Sequence, residues 1–426
     1  MAKIKPFCGV YYNQEKISDI SSVVCPPYDI ISPAAQEYYH KRSPYNTIYL
    51  ELGRDAANED KYKRAKDYFA RWMKEEMLIQ DKSPAIYFYN QEFNVKGEKK
   101  NRLGFIALLR LEDKKGTVFA HEYTRLEAKE DRLNLIRRVK ANLSPIFVLF
   151  SDEKRLIKRT YERYLKEAKP MIDIIDQEKI AHKLWRLNAQ EALTAFEAQM
   201  QDRKIFIADG HHRYEVALSY REEMKKKLGG LSANSDLNYI MAYFTNIESR
   251  GLSIFPVHRL AKEILQVKAD NLKEALGEYF DIQEVKEKDQ LFFLMEKAGT
   301  HENTLGMYQD KKFYLLRLKN VKILDKEMLD KPKEFRRLDV TILNFIILKR
   351  ILGLELEDKE KIKFYPHNDE LISQADGDRS SIAFFLNPVK IEQLVSIATQ
   401  GERMPPKSTY FYPKVPAGLI INKFTI

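Results

Sequence analysis

Between residues 204 and 224 the chain reads KIFIADGHHRYEVALSYREEM, and this stretch constrains the fold more than any other. The run Ile205-Phe206-Ile207 has strand character, and the residues after Arg213 carry the spacing of an amphipathic helix. The Asp-Gly-His-His-Arg between them must turn a strand into a helix within a few residues. Gly210 frees the backbone for that turn, and the first N–H groups of the helix have no carbonyl one turn earlier to bond. An oxyanion cradle at a strand-to-helix junction is the expectation.

The side chains around that turn fit the same chemistry. Arg213 can grip a phosphate or carboxylate through two parallel hydrogen bonds, and His211 and His212 can exchange protons near neutrality. Asp209 is placed to orient a histidine, to act as a base or to position a metal. Asp209, His211 and His212 are therefore the candidate catalytic groups, with Gly210 and Arg213 on the phosphate of a cofactor. Magnesium is the natural companion of a polyphosphate, and Asp209 and Glu215 are its candidate ligands. The sequence has no His-Glu-x-x-His, no Gly-x-x-x-x-Gly-Lys-Ser/Thr, no Gly-x-Gly-x-x-Gly and no Gly-x-Ser-x-Gly. A bound nucleotide would need a loop of another kind. A second anion-binding element follows Pro405-Pro406: Lys407 brings charge for a transferring phosphoryl group, and Ser408 and Thr409 bring hydroxyl donors for a cofactor.

Composition narrows the partners. The net charge of +10 over 426 residues suits a small anionic ligand, but acidic and basic residues are mixed along the chain and no nucleic-acid-reading motif is present. Nucleic acid is disfavoured. No apolar run is long enough for a membrane span. The basic first residues lead into Cys8-Gly9-Val10-Tyr11-Tyr12-Asn13, which is not the apolar core of a secretion signal, so a cytoplasmic address is expected. Two cysteines, Cys8 and Cys25, make neither a disulfide framework nor a four-ligand metal site.

At this length several lobes are expected. Residues 1–150 read as an N-terminal α/β part of a core, 151–260 as a central segment carrying the junction, 261–330 as a smaller α/β subdomain and 331–426 as a return to the core. The subdomain could be a lid, scaffolding or a homodimerising piece. Periodicity predicts strands at 45–50, 85–95, 102–111, 146–150, 239–245 and 419–424, with helices at 59–77, 126–140 and 339–352. Polar residues at separated places are further candidates for the site: Asp29 on a loop stiffened by prolines, His121, Glu122, Asp131 and Arg132 before a central strand, and the pair His258-Arg259.

These landmarks also carry a resemblance. Pro6-Phe7, Cys25-Pro26-Pro27-Tyr28-Asp29, His121-Glu122 with Thr124, Asp131-Arg132, Ser144-Pro145-Ile146, Asp209-Gly210-His211-His212-Arg213-Tyr214, Phe255-Pro256 with His258-Arg259, and Met404-Pro405-Pro406-Lys407-Ser408-Thr409-Tyr410-Phe411 span nearly the whole chain. Together they resemble a conserved bacterial and archaeal family known as DUF1015. The loop alone resembles that of the ParB/sulfiredoxin-like superfamily, which includes nucleotide-binding proteins and a free-serine kinase. That resemblance implies an α+β fold with a mixed-sheet core elaborated by additional α/β segments and a smaller subdomain. It also implies phosphate binding by Gly210, His212 and Arg213. His211 stands where sulfiredoxin has its cysteine, which argues against sulfiredoxin chemistry. The combined expectation is a nucleotide-dependent phosphotransferase using ADP or ATP with Mg2+ on a small hydroxylated metabolite; the alternative is a non-catalytic sensor of a nucleotide or phosphate ligand.

Overall fold

The computed structural model describes residues 3–55, 59–112, 116–201, 203–264 and 271–425. Its architecture is α+β, in two compact units: Met1–Ala120, Thr124–Ser253 and Pro413–Ile426 form one, His121–Tyr123 and Ile254–Tyr412 the other.

In the first unit a hairpin sets the sheet. Ile86–Val95 and Glu98–Arg110 pair antiparallel around Lys96-Gly97, both with positive φ, the geometry that matches a two-residue turn to the twist of its strands. Tyr239–Asn246 lies antiparallel to Glu98–Arg110 on one side and parallel to Ile146–Phe150 on the other. Ile205–Asp209 follows, antiparallel to Ile146–Phe150, with Val118–Ala120 beside it in parallel. Ala181–Leu187 and Ile172–Ile175 extend the opposite end, and Ile4–Lys5 pairs with Glu98–Arg110, giving a nine-stranded mixed sheet. Every residue of Ile146–Phe150 is buried, as an unbroken apolar run in a central strand requires. Phe105 stacks on Phe244 at 4.6 Å and meets Phe196 edge-on at 4.7 Å, which fixes one face of the sheet against the helix Gln190–Met200. The helices Leu126–Val139 and His211–Lys227 pack together, so the junction has a helix at its flank as well as a strand behind it.

The second unit holds a six-stranded antiparallel sheet in the order Phe280–Val285, Lys312–Leu318, Thr304–Gln309, Ile382–Phe385, His258–Ala261 and Ile362–Tyr365. Leu291 and Met295 of the helix Lys288–Ala298, with Leu371 and Ala375 of Asn368–Asp376, fill its core. Among the described residues no helix is long and apolar enough to cross a membrane.

Three sequence expectations are corrected. Residues 45–50 were expected as a strand, but Ile48–Glu51 is a helical turn. The Asn46 side chain accepts from Ile48 N at 2.9 Å and Thr47 N donates to Val23 O at 2.7 Å, so local side-chain bonding overrides the β-branched pattern. The closing strand shrinks to Asn422–Lys423, paired with Ala141–Asn142, because Gly418 turns the chain at φ +93° just before it. The helix expected at 339–352 begins as Asp339–Ile342 but continues as a π-helix over Leu343–Ile351.

Candidate functional site

The junction forms as the sequence requires. Ile205–Asp209 ends in Gly210, whose φ of +88° places it in the left-handed region as N-cap of the helix His211–Lys227. A Cβ at Gly210 would lie 2.8 Å from Ile146 Cγ2, so both conformation and space demand glycine.

The charges at the turn are bound to one another. Arg213 Nη2 donates to Asp209 Oδ2 at 3.0 Å, and Lys414 Nζ donates to Asp209 Oδ1 at 2.5 Å. Burial alone would raise the Asp209 carboxyl, but Lys414, Arg213 and His211 overcome it and hold the group down at about 2. At neutral pH Asp209 is an anion between two cations, and the trio has a net positive charge in a place where its side chains are at most 14% exposed. Arg213 Nη1 also donates to Ser144 Oγ at 2.9 Å and Pro145 O at 2.6 Å.

The histidines occupy different surroundings. His211 is buried at the start of the helix, whereas His212 Nε2 accepts from Arg125 N at 2.9 Å. That contact places any proton of a neutral His212 on Nδ1. Glu215, one turn on, accepts from Thr124 Oγ1 at 2.5 Å and pairs with Lys129 at 3.2 Å, so it faces the neighbouring helix while Asp209 faces Lys414. Among the described residues no three His, Cys, Asp or Glu side chains form a group that could hold a metal ion.

Ser144 connects the turn to other landmarks of the first unit. Its hydroxyl donates to Glu51 Oε1 at 2.9 Å, and Arg132 Nη1 donates to Glu51 O at 2.7 Å. The Arg132 guanidinium lies 4.1 Å from the centre of the Tyr28 ring, and Asp29 next to Tyr28 is exposed. Asp131 accepts from Arg132 Nε and Tyr62 OH, each at 2.8 Å. Arg132 with its Lys61 and Tyr62 neighbours lowers the Asp131 carboxyl against the upward pull of burial. The Tyr28-Asp29, Asp131-Arg132, Ser144-Pro145 and Asp209–Arg213 segments are thus joined through side chains.

The remaining landmarks assemble within the second unit. His121 Nε2 lies 3.3 Å from Thr409 Oγ1, and Glu122 Oε1 accepts from Lys407 N at 3.4 Å. Arg259 Nη2 donates to Pro406 O at 3.2 Å and Lys407 O at 3.0 Å. Lys407 itself sits at φ +57°, a strained position for a residue with a Cβ. Ser408 Oγ donates to Pro405 O at 2.6 Å, so its hydroxyl closes the loop on itself. Arg259 is buried, its hydrogen-bond acceptors among the described residues are all carbonyls, and the Phe364 ring lies at 4.5 Å; burial pulls its guanidinium down to about 9. His258 Nδ1 accepts from Leu386 N at 3.1 Å; burial lowers it to about 3 with help from Arg259 and His367, against the Asn368 side chain. It is a neutral core histidine at physiological pH.

Sequence reasoning missed Lys414 and Glu51. Lys414 lies in Pro413-Lys414-Val415-Pro416, and a lysine on a segment stiffened by prolines was the available signal. Glu51 had none, since its stretch reads as a strand.

The fold and site define an α+β protein with a carboxylate clamped by two cations at a strand-to-helix turn. The chain belongs to the family described as "Protein of unknown function (DUF1015)", whose model matches residues 4–341. No curated protein matches the chain. Among solved structures it is similar to a free serine kinase mutant in complex with ADP, at 12% identity over 72% of this chain and 89% of that one, with a TM-score of 0.36. A conserved hypothetical protein from Pyrococcus furiosus matches at 12% identity over 72% and 92%, TM-score 0.34. SbnI with a C-terminal truncation, from Staphylococcus aureus, matches at 11% identity over 74% and 87%, TM-score 0.36. Likenesses at this level leave the activity to be argued from the chain's own residues.

Proposed function

We propose that the first unit binds the phosphate of a nucleotide such as ADP or ATP at the Asp209–Arg213 turn, and that the protein is a phosphotransferase acting on a small hydroxylated metabolite. The observation that carries this reading is the Lys414–Asp209–Arg213 trio: a net-positive cluster beside the start of a 17-residue helix, where an anion gains from both the cations and the helix dipole. Gly210, Arg213 and Lys414 would hold phosphate, and His211 and His212 are the candidate groups for moving a proton. The strand-turn-helix carrying the loop is also the feature that supports a ParB/sulfiredoxin-like core. In the second unit Lys407 and Thr409 are proposed as a separate anion contact, with Ser408, whose hydroxyl is spent on Pro405 O, and Arg259, His121 and Glu122 setting the loop.

The donor set does not fit a magnesium ion resident in the protein, because Asp209 is taken by cations and Glu215 by Thr124 and Lys129. Any magnesium would be carried by the polyphosphate oxygens. One observation favours the sensor alternative: a carboxyl held at about 2 is a weak acceptor for the proton of a substrate hydroxyl at neutral pH, which counts against Asp209 as the base.

Thermal denaturation with ADP, ATP and CTP, with and without magnesium, tests the ligand. At least one nucleotide should raise Tm, and no response to any of them would end the nucleotide reading. Incubation with labelled ATP and pools of amino acids, polyols and nucleosides separates the two classes: label transfer marks the enzyme, and a Tm shift without transfer marks the sensor.

A further inference from the structure

The second unit also contains a cavity of about 440 Å3. That is within the size range of small-molecule sites. Its lining includes Asn303, Arg337, Asp339, Asn387, Lys390 and Ser408, together with the apolar side chains of Leu338, Val340, Leu386 and Val389.

Asp339 is the centre of its chemistry. It occupies the first turn of the helix Asp339–Ile342 and is only partly buried, so its carboxylate is walled by protein yet reachable. Asn303 Nδ2 donates to Oδ1 at 2.6 Å, and Asn387 Nδ2 approaches Oδ2 at 3.3 Å while also donating to Thr304 O and Oγ1 at 3.1 Å. The two amides fix the carboxylate plane, and a carboxylate has about four acceptor positions, so capacity remains for a ligand donor. Burial raises this carboxyl to about 6, opposed by Asn303, Asn387 and Lys390, which sets it apart from an ordinary solvated acid.

The charge balance selects the ligand. Glu302 and Asp339 are matched by Arg337 and Lys390 among the lining residues. Glu302 is paired with Arg317, Arg337 Nη2 bonds Asp325 at 3.2 Å, and Lys390 Nζ donates to Thr300 O at 3.1 Å. Neither an anion nor a cation gains from such a balanced wall. What the wall offers is a carboxylate between two carboxamides facing apolar surface, the combination that accepts hydroxyl hydrogens while packing against a C–H face.

We propose that this cavity binds a neutral polyhydroxylated small molecule, a sugar or polyol, with two of its hydroxyls on Asp339. The site lies wholly in the second unit and stands independently of the phosphate site in the first.

Saturation-transfer NMR on the full chain, without nucleotide or magnesium, tests it with D-ribose, D-glucose, myo-inositol and glycerol, and with putrescine and succinate as charged comparators. At least one polyol should receive saturation, and the signal should fall five-fold or more in Asp339→Asn and in Val321→Trp. The second substitution is at a lining residue that is 41% exposed, so it narrows the cavity without disturbing the core, and it decides the matter if Asp339→Asn does not fold. Silence from every polyol, a response to putrescine or succinate alone, or a signal that survives in the folded variants would overturn the proposal. Nucleotide-induced Tm shifts are read in a separate experiment, so failure of one site leaves the other standing.

Discussion

Lys414 Nζ lies 2.5 Å from Asp209 Oδ1, although the residues are 205 positions apart, and the contact ties the end of the first unit's chain to its strand-to-helix turn. Lys414 is the second cation on a carboxylate already paired with Arg213 at 3.0 Å. Replacing Lys414 by Met keeps the length of the side chain but leaves Asp209 with one cation. A lost charge-assisted bond at a buried group costs about 1–3 kcal/mol. Urea denaturation of Lys414→Met should show a loss of that order, and any nucleotide-induced Tm shift should shrink with it. A variant with wild-type stability and wild-type response would remove Lys414 from the site.

Two carboxyls give opposite pH signatures. Asp209 titrates at about 2 in the folded chain against 3.8 for the free group, so it contributes stability that is fully present above pH 3.8 and lost as pH falls through 2. The linkage is about 2 kcal/mol. Asp339 is raised to about 6 from 3.8, so the folded chain prefers its neutral form, and its contribution is most favourable below pH 3.8 and declines as pH rises through 6. That decline is at most about 3 kcal/mol, since the side chain is only partly buried. Stability differences between wild type and Asp209→Asn should therefore change between pH 4 and 2, and those for Asp339→Asn between pH 4 and 6. Flat differences across either window would remove the assigned shift.

What could be read from the sequence follows from the range of the interactions. The junction at Gly210 was legible because a short apolar run, a glycine and a helical period are all local signals. The strands at 146–150 and 239–245 were legible for the same reason, as continuous apolar runs. Residues 45–50 misread because Thr47 bonds Val23 and Asn46 bonds Ile48, and those bonds outweigh β propensity over so short a piece. The polar landmarks could be named one by one, but their grouping could not. That Ser144 links Arg213 to Glu51, or that Arg259 holds the carbonyl of Lys407, depends on tertiary placement that no spacing encodes. From the sequence Asp209 could orient a histidine, position a metal or act as a base, and its contact with Lys414, 205 positions away, left no local signal.

Gly210 offers a test of the turn that leaves every charge in place. In Gly210→Ala the left-handed φ costs about 1–2 kcal/mol, and the new Cβ presses on Ile146 Cγ2 and comes within 3.1 Å of Arg213 Nε. Ile146 belongs to a fully buried central strand and has little room to yield. A drop of about 2–4 kcal/mol in unfolding free energy is expected. If the variant still folds, its nucleotide-induced Tm shift should be lost, because Arg213 moves with the turn. A stable variant with the wild-type response would show that the backbone here is free to adopt another shape.

Arg259 gives the corresponding test in the second unit. A guanidinium buried to 1% exposure, with carbonyls and one aromatic ring around it, persists only if its planar fork is satisfied at several points. Its Nη2 spans Pro406 O and Lys407 O, while Glu122 receives Lys407 N, so the two side chains hold Lys407 in its left-handed conformation from both sides of the residue. Arg259→Lys offers a point charge where a fork is needed, and Arg259→Gln removes the charge as well. Limited proteolysis should cut the 404–410 segment faster in both, with Gln the more affected, and the loss of stability in Gln should be about 1–3 kcal/mol. Equal cleavage rates in Arg259→Gln and wild type would mean that the prolines alone stiffen this loop. Faster cleavage in both variants, with the order Gln over Lys over wild type, assigns the conformation of Lys407 to the buried arginine.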